Sequence, residues 1–208
     1  MIPPTLVPIA VTQRVAIDPA HGERRDALDQ RWAPFLAACG LLPVPVPNDA
    51  ELAVALAERA GVAGLLLTGG NDIGTAPERD GTERRLVAWA EARGLPVLGV
   101  CRGMQMLLTL AGVALEPVSG HVAVRHAIRL GDERVEVNSY HGLAARMVGE
   151  ELAAGDLEAW GVADDGVVEA VRHRGRPTVG IMWHPEREVP FRALDVDLIT
   201  TLFQGNAR

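Results

Sequence analysis

The chain contains no lysine; all 20 of its basic residues are arginine. Codon bias in a GC-rich genome accounts for this, but it has chemical consequences. It excludes a lysine Schiff base or a lysine general base. It leaves any anion site to arginine forks or backbone N–H groups. Cysteine is nearly as scarce, with 2 in 208 residues. Cys39 and Cys101 make no disulfide framework, and a reducing cytoplasm is the expected setting. No apolar run approaches the ~18 residues of a membrane span. The opening Met1-Ile2-Pro3-Pro4-Thr5 lacks the basic-then-apolar pattern of a secretory signal. Positive charge is also in deficit, and a net charge of −7 argues against a general nucleic-acid or anionic-membrane binder. There is no internal repeat, no low-complexity tract and no linker, so residues 1–208 read as one domain.

What is present is an ordinary globular composition, 48% hydrophobic and 23% charged. Leu6 to Thr12 reads as a strand and Gln13 to Asp26 as a loop. Ala27 to Ala38 reads as a helix ending at Gly40, and Leu42 to Val46 as a strand near a sheet edge because of its prolines. Ala50 to Ala60 has helical spacing and ends at Gly61. Gly64 to Thr68 is a buried strand, Thr82 to Arg93 a helix stopping at Gly94, Pro96 to Val100 a strand and Met104 to Ala111 a helix. This alternation predicts an α/β fold, a mostly parallel sheet with helices on both faces. The second half differs. Val122 to Val137 and Gly166 to Val171 read as antiparallel strands, Val179 to Trp183 as a further strand and Asp195 to Phe203 as a last helix.

The chemistry concentrates at Gly99-Val100-Cys101-Arg102-Gly103. An apolar strand leads into Cys101 and a helix leads out, the pattern of a nucleophile elbow. The small residues at 99 and 103 clear the tight turn. The unpaired N–H groups and dipole of the helix favour negative charge there, and the thiolate is the reactive form of cysteine. The backbone N–H of Arg102 supplies half of an oxyanion hole. The alternative is a small buried residue in a strand-to-helix connection.

Two other polar clusters end strands, Gly69-Gly70-Asn71-Asp72 and His184-Pro185-Glu186. In open sheets of this kind ligands gather at the carboxyl ends of the strands. His184 and Glu186 can point to the same side of an extended segment, so Glu186 would orient the imidazole toward Cys101. A surface pair is the competing reading. Gly69 and Gly70 read as the other half of the oxyanion hole, or as an ordinary tight turn. Gln105, one helical turn beyond Cys101, faces either the same pocket or solvent. His121 and His126 make no metal-ligand set of recognisable spacing, and no metal is expected. His21 and His173 read as solvated, and Cys39 as a packed small residue.

These residues resemble the class I glutamine amidotransferase-like proteins, and within them the γ-glutamyl-γ-aminobutyrate hydrolase-like (peptidase C26) group. The likeness runs nearly end to end. It is carried by Leu67 to Asp72, Arg79-Asp80 with Glu83, Gly99 to Gln105, Val137-Asn138-Ser139-Tyr140-His141-Gly142 and Met182-Trp183-His184-Pro185-Glu186. The resemblance implies a flavodoxin-like, doubly wound, mostly parallel sheet with an antiparallel extension. It implies a Cys101–His184–Glu186 triad, a glutamyl thioester and no cofactor. It also implies that Gln105, Asn138, Ser139, Tyr140 and His141 help hold a γ-glutamyl group.

Val11-Thr12-Gln13-Arg14, the short segment from Asp72 to Asp80 and the ending at Arg187-Glu188 look like the γ-glutamyl-CDP-amidate hydrolases. Those enzymes serve capsule phosphoramidate synthesis. Arg14, Arg24, Arg25 and Arg187 are candidates for a diphosphate site, or solvated surface arginines. The expected partner is a small γ-glutamyl substrate, with no nucleic acid and no membrane; a homodimer is left open. The alternatives are hydrolysis of γ-glutamyl-γ-aminobutyrate or another γ-glutamyl amine, a glutaminase subunit delivering ammonia to a partner synthetase, and a binding or regulatory protein without the chemistry.

Overall fold

The computed structural model describes residues 6–149, 152 and 155–205, so the opening Met1–Thr5 segment lies outside the described residues. Its strands are β1 (Val7–Val11), β2 (Arg14–Ile17), β3 (Arg24–Ala27), β4 (Leu41–Pro45), β5 (Leu65–Leu67), β6 (Val97–Val100), β7 (Glu116–Pro117), β8 (Val122–Leu130), β9 (Glu133–Tyr140), β10 (Leu143–Ala144), β11 (Leu157–Ala163), β12 (Val168–His173) and β13 (Thr178–Ile181). Its helices are α1 (Trp32–Ala38), α2 (Ala50–Arg59), α3 (Pro77–Ala92), α4 (Arg102–Leu110) and α5 (Ala193–Gln204), with a short 3₁₀ turn at Pro185–Arg187.

A 9-stranded sheet runs in the order β4-β1-β5-β6-β13-β12-β11-β8-β9. Pairings from β4 through β13 are parallel and those from β13 to β9 antiparallel. The expected doubly wound sheet with an antiparallel extension is therefore present. Side chains of the parallel strands alternate between two cores. Ile9, Val11, Leu66, Leu98 and Val100 join the core containing Phe35, Leu36 and Ile199, while Ala10, Leu65, Leu67 and Val97 join Ala53, Ala57, Leu86 and Ala90. Burial on both faces explains why these strands read as unbroken apolar runs. Among the described residues no helix is long and apolar enough to cross a membrane.

Three sequence expectations need correction. The segment expected as a loop from Gln13 to Asp26 holds the antiparallel pair β2–β3, closed by Asp18, whose carboxylate accepts from the Ala20 N–H at 2.8 Å. The first helix starts at Trp32, not Ala27, because Pro34 is tolerated only in a first turn; farther inside, its ring would meet the carbonyl four residues back. Helix α3 starts at Pro77, not Thr82. Proline suits the first helical position, and Glu78 and Asp80 place negative charge in the first turn. That extra length sets Arg79, Asp80 and Glu83 on one helix beneath the site. Strand β11, between β12 and β8, was not anticipated.

Candidate active site

Strands β5, β6 and β13 lie side by side in parallel, and all three deliver polar residues from their carboxyl ends. Cys101 follows β6 directly, with φ 52° and ψ −107°. This lies outside the regions L-residues favour and costs about 1–3 kcal/mol, held by its surroundings. The Cys101 N–H donates to Ile181 O at 2.7 Å, tying the elbow to β13. A Cβ on Gly99 would stand 2.6 Å from the carbonyl carbon of Gly103, and one on Gly103 would run into Leu67 O. Both glycines are therefore required by close backbone approach. The first turn of α4 begins at Arg102 and leaves its N–H groups without intrahelical acceptors.

His184 comes from the end of β13 and is buried. Its Nδ1 stands 2.7 Å from Glu186 Oε1. A carboxylate only accepts, so Nδ1 carries the proton and Nε2 is left for other work. Burial opposes the charged imidazole, but hydrogen bonds to Cys101 and Glu186 outweigh it and raise its pKa to about 9. A Cβ on Gly69 would lie 2.7 Å from His184 Cε1 and 3.6 Å from Cys101 Cβ. Gly69 is thus the floor on which thiol and imidazole meet, and only a hydrogen fits there.

The surroundings of His184 are fixed from several directions. The Asn138 amide donates to His184 O at 2.9 Å, and its Oδ1 accepts from the His184 N–H at 2.8 Å. Trp183, one residue earlier, is buried and donates from Nε1 to Asp195 Oδ1 at 2.9 Å. Tyr140 sets its ring edge-to-face against the imidazole, with centroids 5.7 Å apart.

The Gly69-Gly70 turn is held by a buried charge network absent from the sequence-level site. Arg79 donates to Thr68 O at 2.7 Å, Gly69 O at 3.2 Å and Gly70 O, and to Glu83 at 2.9 Å. Glu83 also accepts from Thr12 at 2.9 Å and pairs with Arg102, which pairs in turn with Asp80. Burial pulls both guanidinium groups down to about 10, against the pull of the neighbouring carboxylates. Arg102 therefore works twice, its backbone beside Cys101 and its side chain in this network. The Arg79/Glu83 spacing of four on a helix, together with Pro77, is the sequence signal that identifies it.

Residues 29–190 match the family described as glutamine amidotransferase class-I. The chain belongs to the class-I glutamine amidotransferase family. It is 28% identical over 189 residues to a γ-glutamyl-CDP-amidate hydrolase of Campylobacter jejuni, covering 86% of this chain and 90% of that one. It is 25% identical over 228 residues to a γ-glutamyl-γ-aminobutyrate hydrolase of Escherichia coli O157:H7, covering 88% and 86%. A Thermotoga maritima glutamine amidotransferase of known structure superposes with a TM-score of 0.65 at 14% identity, covering 94% of this chain and 82% of that one, which bears on the fold alone.

In this glutamine amidotransferase domain the residues expected to hold substrate separate into two groups. Arg14 and Arg187 line a cleft with Gly69, Gly70, His184 and Trp32. The Arg187 guanidinium lies 4.3 Å from the Tyr140 ring centre. By contrast, Asn138 is engaged with the His184 backbone, Ser139 Oγ donates to His121 O at 2.7 Å, and His141 Nε2 stands 3.1 Å from Glu169. Those three side chains are committed inside the protein. Gln105 is buried rather than solvated and donates to Leu143 O at 2.8 Å. Arg24 and Arg25, on β3, are paired with Glu78 and with Asp18 and Glu23. Their charge is neutralised locally, which weakens them as diphosphate ligands.

Cys39 is buried, and burial with the charge of Asp195 pushes its thiol to about 12, so it is no second nucleophile. His121 and His126, expected to make no metal-ligand set, meet other side chains in the fold. Antiparallel pairing of β8 with β9 brings His121 and His141 together, and β12 adds Glu169. Their sequence spacing concealed this because the contacts are between strands.

Proposed function

We propose that this chain is a cysteine-dependent hydrolase of γ-glutamyl amides, acting as a single domain over residues 1–208. The observation that carries the reading is the meeting of Cys101 and His184 over Gly69, with Glu186 on the far side of the imidazole. In the proposed cycle the Cys101 thiol gives its proton to His184 Nε2, Sγ bonds to the γ-carbonyl carbon and the carbonyl π electrons move to oxygen. Backbone N–H groups at Gly70 and Arg102 stabilise that oxyanion. The C–N bond then breaks, and His184 Nε2 passes its proton to the leaving nitrogen. A water attacks the glutamyl thioester, His184 accepts its proton, and glutamate leaves with a free carboxylate while the thiol is restored.

The favoured substrate is γ-glutamyl-CDP-amidate, after the C. jejuni relative. The position of Arg14 and Arg187 on the cleft beside the imidazole supports a diphosphate in the leaving group, because forked guanidinium groups suit phosphate oxygens. The resemblance to the E. coli γ-glutamyl-γ-aminobutyrate hydrolase supports a second reading, in which the leaving amine is uncharged by phosphate. Incubation with γ-glutamyl-CDP-amidate, γ-glutamyl-γ-aminobutyrate and glutamine, with mass detection of products, separates them. Release of glutamate from the first substrate at a kcat/KM at least tenfold above the others supports the favoured reading. Preference for γ-glutamyl-γ-aminobutyrate replaces it with the second. No turnover of any γ-glutamyl amide rejects the hydrolase itself.

A further inference from the structure

A second cluster of titratable groups lies outside the proposed triad, between β8, β9 and β12. His121, His141 and Glu169 are buried, and one ligand atom from each lies within 4.8 Å of the others. A third imidazole joins them. His121 Nδ1 and His141 Nε2 each stand 3.1 Å from Glu169 Oε1, and His126 Nε2 stands 3.5 Å from the same oxygen. Three ring nitrogens from three imidazoles thus face one carboxylate oxygen.

We propose that His121, His141 and Glu169 form a structural binding site for Zn²⁺ or a similar divalent transition ion, with His126 beside it. The geometry favours it in three ways. In a tetrahedral zinc site with bonds of about 2.0–2.1 Å, neighbouring ligand atoms are about 3.3 Å apart. The 3.1 Å from Glu169 Oε1 to His121 Nδ1 and to His141 Nε2 are close to that value. Next, His121 Nε2 stands 3.0 Å from Asp165 Oδ2, at the outer edge of the cluster. A ligating histidine commonly gives its other N–H to a carboxylate, which fixes the tautomer and turns the remaining lone pair to the metal. Finally, His121 Nδ1, His126 Nε2 and Glu169 Oε2 are buried without a hydrogen-bond partner. Atoms of this kind are costly unless something completes them.

An ion here would tie together two strands that also support the imidazole of His184: Asn138 lies on β9, and Glu169 O on β12 accepts from Met182 N at 2.8 Å.

The test uses the full chain after exhaustive chelation and dialysis, titrated with Zn²⁺ by calorimetry and with Co²⁺ by visible absorption. One equivalent of either ion, tetrahedral Co²⁺ bands and a higher Tm with Zn²⁺ are expected. Cys101→Ala should retain all three, which separates this site from binding by the thiol and His184. Glu169→Gln should abolish them. Asp165→Asn changes only the rim, so folding is not at risk, and affinity should fall about 10- to 100-fold. Absence of saturable binding in the wild-type chain overturns the proposal. So does binding that disappears with Cys101→Ala, or binding that Asp165→Asn leaves unchanged. None of these outcomes depends on the hydrolase reading, which turnover measures separately.

Discussion

Replacing Glu186 with glutamine tests how the imidazole is prepared. The two side chains have the same shape, and the glutamine oxygen can still accept from Nδ1. What is lost is the negative charge 2.7 Å from that nitrogen. A hydrogen bond with a charged partner contributes about 1.5–3 kcal/mol and a neutral one about 0.5–1.5. The exchange therefore removes about 1–1.5 kcal/mol of support for the imidazolium, close to one pK unit. His184 is held at about 9 by its hydrogen bonds to Cys101 and Glu186 against the opposing effect of burial. In Glu186→Gln it should titrate near pH 8. In the proposed cycle the imidazolium is the proton donor to the leaving nitrogen, so activity should fall as pH rises through its pKa. The alkaline limb of kcat/KM should shift from about 9 to about 8. At the optimum kcat should drop about 10-fold with the lost charge, while KM stays within a few-fold. Rapid-quench measurement across pH 5–10 with the preferred substrate, and the imidazole resonances of His184 by NMR, read both effects. A limb that stays near 9, or an unchanged kcat, refutes the orienting role.

Cys101→Ala should reduce hydrolysis to the background rate with an unchanged far-UV spectrum, and residual turnover by the pure variant would reject the nucleophile. Gly69→Ala places a methyl 2.7 Å from His184 Cε1; kcat/KM should fall about 100-fold with little loss of stability, since misplaced reacting groups lose rate first. Full activity would show that the imidazole does not sit there during reaction. Arg79→Ala leaves Glu83 with one fewer cation and several buried carbonyls without a donor, and urea unfolding should show about 3–5 kcal/mol lost; a loss under about 1 kcal/mol would contradict its structural role. The raised pKa of His184 also contributes stability below the ordinary 6.5 that disappears as pH climbs through about 9. Tm should accordingly decline between pH 7 and 10, and more steeply in the wild type than in His184→Gln; parallel profiles would deny the linkage.

Much of the parallel half was legible because burial on both sheet faces produces unbroken apolar runs such as Leu65–Leu67 and Val97–Val100, each followed at once by glycine or cysteine. Cys101 was legible because its requirement for small neighbours is local, as the contacts of Gly99 and Gly103 bear out. What failed to show depended on partners far along the chain. Strand β3 is three-quarters exposed polar sequence, Arg24-Arg25-Asp26, and exists because β2 lies opposite it. The role of Arg79 depends on the carbonyls of Thr68, Gly69 and Gly70, and that of Asn138 on a histidine 46 residues away. The His121, His141 and Glu169 cluster is the same case: each residue is ordinary in its own segment, and only the antiparallel register of β8 and β9 gives it neighbours.

Three kinds of support divide the work at the site. The thiol is held by backbone constraint, a strained elbow between glycines that admit no side chain. The imidazole is held by side chains: Glu186 at one nitrogen, Asn138 on its backbone and Trp183 anchored to Asp195. The turn facing both is held by buried ions. A buried ion pair gives little net stability compared with well-packed apolar residues, so stability alone does not explain Arg79, Glu83 and Arg102. Their directional bonds do. A guanidinium can grip three successive carbonyls at once, and this orients the peptide units of Gly69 and Gly70, whose N–H groups then turn away from the network. An apolar replacement of equal volume would fill the space without setting that orientation. Substituting Arg79 by methionine should consequently lower kcat/KM far more than it lowers Tm, whereas equal losses in both would mean that the network serves only to fill the core.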